Sequence, residues 1–254
     1  MKVIVSGWPG CGSTTLSIIL AKILKLKLYR GTDSFRYFIK NLNMQDEGAG
    51  VVAIETLVQP YWGPIYDKYI TETFESITTD NIIVDSDITG FLTGKKDDIL
   101  SIFLHSSTEE RRKHLATDKR ALDSDILDEI DAKLGREYKS LYNLDFLNLN
   151  YVGKYYQLVL DNTGTPISEE VMLVLNRMKM VGFINESTFD DIKARIIDEE
   201  KFYWQTGKKA YIELLQTQGQ IVTAEEIIKA VRERFPDEIA KFPGNLKNIV
   251  ERIN

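Results

Sequence analysis

Residues 7–15 read Gly7-Trp8-Pro9-Gly10-Cys11-Gly12-Ser13-Thr14-Thr15, between the apolar run Val3-Ile4-Val5 and an apolar-periodic stretch from Leu16 to Leu26. A buried strand, a glycine-dense turn and then a helix leave little freedom of fold. They set a tight turn at the carboxyl end of a parallel strand, where open α/β sheets form their ligand crevice. Glycines let backbone N–H groups face inward with no side chain in the way. The helix that follows adds unpaired N-terminal donors and the positive end of its dipole. The segment therefore makes a seat for phosphate, assigned to Gly7, Gly10, Cys11, Gly12, Ser13, Thr14 and Thr15. The general phosphate-loop pattern ends Gly-Lys-Ser/Thr, and here Ser13 holds the lysine position. Ser13 can donate a hydrogen bond but brings no charge. Thr14 keeps the hydroxyl that such loops place on Mg2+. The alternative is a glycine-rich turn that holds no ligand.

The chain has 254 residues, room for an α/β domain of about 180 residues and a small appendage. Apolar residues make up 43 % of it, enough for a sizeable core. The net charge of −6 argues against binding nucleic acid through bulk charge, yet leaves small anionic substrates open to local arginines. Cys11 is the single cysteine, which excludes an internal disulfide and a cysteine-based zinc site. Two histidines, His105 and His114, argue against a histidine metal cage and read as exposed or satisfied polar groups. No apolar run approaches a membrane span, so no membrane partner is expected. The chain opens directly on a strand, so the expected address is cytoplasmic.

Apolar runs predict strands at residues 3–5, 27–29, 81–85, 99–104 and 156–160. Helical patterns lie between them. One starts at an Asp33-Ser34 cap and carries Phe35, Phe38, Ile39 and Leu42. Another, at 66–77, has a polar setting, and a basic one is capped by Thr108. Two more span 123–142 and 168–178; residues 43–63 carry no clear pattern. The alternation predicts an α/β, doubly wound, mostly parallel five-stranded sheet. Strand signals cease after Gly182. Helices are expected at 190–199, 201–216, 224–234 and 245–253, with Thr223 and Glu226 forming a capping box and Pro236 and Pro243 marking breaks. The expected division is a phosphate-binding unit at 1–180 and a small helical appendage at 181–254. Phe202, Tyr203, Trp204, Tyr211 and Ile212 must be buried somewhere. They pack on the main unit or form a surface for a protein partner.

Other residues suit phosphate chemistry. Arg36 lies early in the helix after the second strand and reads as a clamp on a second phosphate or as a solvated arginine. Arg111, Arg112, Lys113, Lys119 and Arg120 concentrate charge, and Arg136 follows. They neutralise a transferring phosphoryl group from a mobile segment, or they form a solvated face. Asp85 ends a buried strand and either holds Mg2+ through water or caps the next turn, with Asp87 able to share the metal. Cys11 is either a low-pKa thiol at a helix N-terminus or a small loop filler.

Gly10-Cys11-Gly12-Ser13-Thr14-Thr15 resembles the P-loop of the archaeal-type, cytidylate-kinase-like nucleoside monophosphate kinases, many of which carry Thr where other P-loops carry Lys. Gly31 through Phe35-Arg36 resembles their Gly-x-x-Phe-Arg segment. Val84 to Phe91 resembles their third-strand segment. Arg136-Glu137-Tyr138-Lys139-Ser140-Leu141-Tyr142-Asn143-Leu144-Asp145 resembles their Arg-x-Tyr-x-x-x-Tyr-Gly-Ile-Asp motif, and Leu158 to Thr163 their last strand. The resemblance covers roughly residues 1–178. It implies a P-loop NTPase fold that uses ATP and Mg2+ to phosphorylate a nucleoside monophosphate, CMP or dCMP first. It implies that Gly31 and Arg36 hold the acceptor phosphate, that Arg111, Arg120 and Arg136 neutralise the transferring group, and that Thr14 and Asp85 hold the metal. Asp87 stands in the substrate site where the family usually has an arginine, and Asn143 replaces a turn glycine at a position where Asn tolerates positive φ. A nucleotide-binding regulatory module without turnover, motivated by Ser13 and Asp87, and a phosphotransferase for another small acceptor remain alternatives.

Overall fold

The computed structural model describes residues 1–42, 57–77, 81–117 and 126–253. Strands β1 (Lys2–Gly7), β2 (Lys27–Arg30), β3 (Ile82–Asp85), β4 (Ile99–His105) and β5 (Leu158–Asp161) form one sheet in the order β2-β3-β1-β4-β5. Every pairing is parallel, and β1 sits at the centre with Val5 opposite Asp85 on one side and Ile102 on the other. The helices between strands are α1 (Ser13–Leu24), α2 (Gly31–Asn41), α3 (Gln59–Ser76), α4 (Thr89–Thr93), α5 (Thr108–Thr117), α6 (Leu127–Tyr142) and α7 (Leu149–Val152). After β5 come α8 (Ile167–Met180), α9 (Glu186–Lys193), α10 (Ile196–Thr206), α11 (Lys208–Thr217), α12 (Ala224–Arg234), α13 (Pro236–Ile239) and α14 (Gly244–Glu251).

Successive strand residues point to opposite faces, and each face has its own core. Val3, Val5, Ile83, Ile102 and Leu104 join α1 and α8 on one face. Ile4, Ile82, Val84 and Ile99 join α2 and α3 on the other, and Phe103, Phe91, Phe146 and Tyr138 extend that face toward β5. Two covered faces explain why the strands read as continuous apolar runs.

The C-terminal region belongs to both cores. Tyr203, Tyr211, Leu215 and Ile221 pack with α1 and β1. Ile227, Ile228, Val231, Phe235, Leu246 and Val250 pack with α2 and α3. The chain passes from one face to the other around the β2 edge, where Leu28 N–H donates to Gln220 O at 2.6 Å and Val222 N–H donates to Leu28 O at 3.0 Å. Ile221 is thus a parallel bridge partner of Leu28, so the all-helical expectation misses one extended contact. The side chains of the set singled out there divide: Tyr203 and Tyr211 are buried, whereas Phe202 and Trp204 stay exposed.

Several boundaries differ from expectation for physical reasons. The helix expected at 66–77 in a polar setting is α3, which starts at Gln59 and buries Trp62, Tyr66, Ile70 and Phe74. Helix α2 opens at Gly31 rather than after an Asp33-Ser34 cap; Asp33 pairs with Arg30 at 2.9 Å and Ser34 Oγ donates to Gly31 O. Ser107, not Thr108, caps α5 by accepting from Glu110 N–H. The helix expected over 190–199 breaks near Arg195, and that over 201–216 breaks at Gly207, where φ is +79°. Helix α12 matches its expected bounds, with both bonds of the Thr223–Glu226 capping box formed. Among the described residues no helix is long and apolar enough to cross a membrane.

Candidate active site

The loop between β1 and α1 is shaped by two glycines in the left-handed region. Gly10 has φ +81° and Gly12 φ +92°. At Gly10 a Cβ would also come within 2.9 Å of the Arg111 carbonyl oxygen. Three later side chains, two on α5 and one just after β5, hold the loop carbonyls. Arg111 Nε donates to Pro9 O at 2.6 Å, His114 Nδ1 lies 2.9 Å from Gly10 O, and Asn162 Nδ2 donates to Cys11 O at 2.7 Å. Because each peptide is planar, holding the Pro9 and Cys11 carbonyls turns the N–H groups of Gly10 and Gly12 the opposite way. The Cys11 N–H is used within the turn, donating to Trp8 O. Cys11 itself is buried, and burial pushes its thiol up to about 12. That overturns the low-pKa alternative and makes it the loop's filler.

Helix α1 starts at Ser13, so Ser13, Thr14 and Thr15 form its first turn. The Thr14 side chain hydrogen-bonds to Asp85, at the end of β3. Asp85 is 7 % exposed, and one of its oxygens, Oδ2, has no hydrogen-bond partner. Burial pushes its carboxyl up, while Arg30 and the Thr14 bond oppose that shift. A buried carboxylate with an unused oxygen beside a threonine hydroxyl suits a cation that keeps most of its water, as Mg2+ does. Among the described residues no group of three or more His, Cys, Asp or Glu could form an all-protein metal cage. Mg2+ does not need one.

The acceptor-side residues are spread around this point. Gly31, buried, opens α2 beside Asp85, and Arg36 lies on the exposed side of that helix. Asp87 accepts from Tyr138 Oη at 3.2 Å. Asp67 on α3 accepts from Tyr142 Oη at 2.6 Å, and burial pushes its carboxyl up to about 7. Tyr138 and Tyr142 are the two tyrosines of the Arg-x-Tyr-x-x-x-Tyr motif, and Asn143 after them adopts φ +56°.

The arginines divide. Arg111 is 2 % exposed and gives Asp131 two bonds, at 2.8 and 2.5 Å, besides its bond to the loop. It is fixed as a brace between α5, α6 and the loop. Arg136 is exposed on α6. Arg112 pairs with Asp128 at 2.9 Å. Arg120 lies outside the described residues.

Besides Asp67 and Asp131, sequence reasoning missed contributors near the loop. Asn162 bonds both Cys11 O and Glu170 Oε1, and burial pushes the Glu170 carboxyl up to about 7. Tyr203 Oη lies 3.3 Å from Thr15 Oγ1, and the Lys208 charge acts on the Asp85 carboxyl. Asn162 lay in a quoted strand segment, whereas nothing in the local sequence of the last region signals a contact with the loop.

No model of a known protein family matches the chain. Individual relatives do. It is 30 % identical over 175 residues to the cytidylate kinase of Sulfolobus acidocaldarius, which covers 67 % of this chain and 90 % of that protein. It is 28 % identical over 183 residues to the cytidylate kinase of Methanocorpusculum labreanum, covering 69 % and 94 %. With the Methanosarcina mazei cytidylate kinase it shares 26 % over 170 residues, covering 64 % and 87 %. A central parallel strand that ends in a glycine loop, a threonine turned to a buried strand-end aspartate, and 30 % identity in an alignment that covers nine-tenths of the Sulfolobus protein place this chain in the archaeal-type cytidylate kinase family of P-loop nucleoside monophosphate kinases.

Proposed function

We propose that this protein transfers the γ-phosphoryl group of ATP to a nucleoside monophosphate, with CMP or dCMP as the favoured acceptor. The observation that carries the reading is the convergence of Thr14 and the buried, half-unpartnered Asp85 at the mouth of the glycine loop. In this reading Gly7, Gly10, Cys11, Gly12, Ser13, Thr14 and Thr15 receive the ATP phosphates. Thr14 and Asp85 hold Mg2+, which would supply charge neutralisation at the phosphates. Gly31 and Arg36 hold the acceptor phosphate, and Asp87, oriented by Tyr138, faces the acceptor. Arg136 and Arg120 bring positive charge to the transferring group. Arg111 serves through the loop it braces. No protein nucleophile is needed, because an acceptor phosphate oxygen attacks in line and the protein's task is positioning and charge. Residues 1–180 form the catalytic unit and residues 181–254 a helical annex wrapped on it, in a cytoplasmic enzyme. The preference for cytidylate is taken from the relatives.

The test is ADP formation from MgATP against a panel of nucleoside monophosphates and non-nucleotide acceptors. Fast turnover with CMP or dCMP supports the reading. Arg36→Ala should then raise the KM for the monophosphate roughly ten- to a hundredfold while sparing that for ATP, because a charge-assisted contact is lost. The uncharged Ser13 favours a second reading, a nucleotide-binding module without turnover. Tight MgATP binding with no acceptor consumed would select it. Turnover confined to a non-nucleotide would assign another small acceptor.

A further inference from the structure

Ser13 leaves the loop without the cation usual there, and the C-terminal region brings one to the same end of the sheet. Lys208 is the first residue of α11, directly after Gly207 turns the chain out of α10. This turn is fastened along α1 on both sides. Before it, the Tyr203 and Thr15 hydroxyls lie 3.3 Å apart. Beyond it, Lys22 Nζ donates to Gln218 Oε1 at 2.9 Å and Gln220 Nε2 donates to Ala21 O at 2.9 Å. These contacts join the chain before α11 to the start of α1 and the chain after α11 to its end, so the start of α11 lies toward the N-terminal end of α1, which carries Ser13 and Thr14. Lys208 is half-buried, and after the stronger influence of Arg30 its charge also lowers the carboxyl of Asp85, whose Oδ2 has no hydrogen-bond partner. Lysine is suited to such a place, being a compact charge on a flexible four-carbon stem.

We propose that Lys208 supplies from the C-terminal region the positive charge that Ser13 does not, acting on the nucleotide phosphates held at Thr14 beside Asp85. The assignment rests on the phosphate-binding reading of the loop. It makes the annex part of the binding site, not only a cover for α1. The charge approaches from the metal side of the loop instead of from within the loop itself.

The experiment is calorimetric binding of MgATP to the full chain, with turnover and thermal unfolding measured on the same preparations. Lys208→Met keeps the apolar stem and removes the charge. It should weaken MgATP binding roughly ten- to a hundredfold and leave the unfolding midpoint unchanged. Lys208→Arg should retain binding within a few-fold. Lys209→Ala, an exposed neighbour, should bind as the parent does. Adding Ser13→Lys to Lys208→Met should recover part of the loss, because the charge returns by the usual route. Binding by Lys208→Met equal to that of the parent overturns the proposal and leaves the kinase reading standing. A loss that comes with a lowered midpoint and is not restored by Lys208→Arg also overturns it, by assigning Lys208 a packing role. Failure of the parent chain to bind MgATP removes the phosphate-site reading, and this proposal with it.

Discussion

Asp131→Ala removes the carboxylate that fixes Arg111, and the consequence can be worked from the geometry. Arg111 has 2 % of its side chain exposed and Asp131 has 18 %. The pair shares two bonds, at 2.8 and 2.5 Å, and the same guanidinium holds Pro9 O at 2.6 Å. Removing one member of a buried pair strands the other charge, at about 3–5 kcal/mol. Asp131 is partly wet, so water recovers some of this and the expected loss is about 2–3 kcal/mol. In a chain of this length each kcal/mol moves the midpoint by about 2–4 °C, so the thermal midpoint should fall by about 4–12 °C. Circular dichroism against temperature reads it directly. MgATP affinity should fall as well, because Pro9 loses its tether. The double variant Arg111→Met, Asp131→Leu should recover much of the stability, since apolar replacements leave no stranded charge, but not the affinity. A midpoint unmoved by Asp131→Ala, or a double variant less stable than the single one, would show that the pair does not brace the loop.

Thr14→Ala should weaken use of MgATP by removing the hydroxyl proposed to hold the metal. Gly12→Val should do so by forcing a β-branched residue to φ +92° in space the phosphate needs; normal ATP turnover in both variants sinks the phosphate-loop assignment. Asp67, pushed up by burial from the ordinary carboxylate value of 3.8 to about 7, binds its proton more tightly folded than unfolded. The stability it contributes is therefore full below about pH 4 and is lost as pH rises to about 7. Asp67→Asn should flatten the midpoint-against-pH curve across that window, although Glu170, raised to about 7 by the same cause, keeps part of the slope; a curve that overlays the parent's contradicts the burial argument. Truncation after residue 182 strips Tyr203, Tyr211 and Leu215 from one face and Ile227, Ile228 and Val231 from the other. The shortened chain should lose cooperative unfolding, and a sharp transition at the parent's midpoint would refute the shared core.

The sheet was legible because each strand is buried on both faces, and a buried parallel strand writes itself as an unbroken apolar run such as Ile82-Ile83-Val84. Thr14 and Asp85 were legible because both sit at fixed offsets from such strands. Only the second half of helix α3 was, because its first turns carry Trp62 on the buried side and a proline inside, which scrambles a hydrophobic period. Arg111 was readable as a cation but not as a brace, since Asp131 lies 20 positions away and meets it only when α5 and α6 pack. The same holds for Tyr203, whose contact with Thr15 at the start of α1 is made by tertiary packing and by no local pattern.

The contact between Leu28 and the segment at Ile221 sets a schedule for synthesis. Strand β2 is an edge strand whose outward N–H and C=O groups are finally matched by Gln220 O and Val222 N–H. At 5–20 residues per second a ribosome takes roughly 10–40 s to make the chain between them. During that interval the nascent sheet presents an open rim, the kind of surface that recruits a stray strand from another chain. Lys25 and Lys27 are exposed on either side of Leu26 at the entry to that rim. Lysines there repel a like neighbour, so they stand guard over the strand until its late-arriving cover is made.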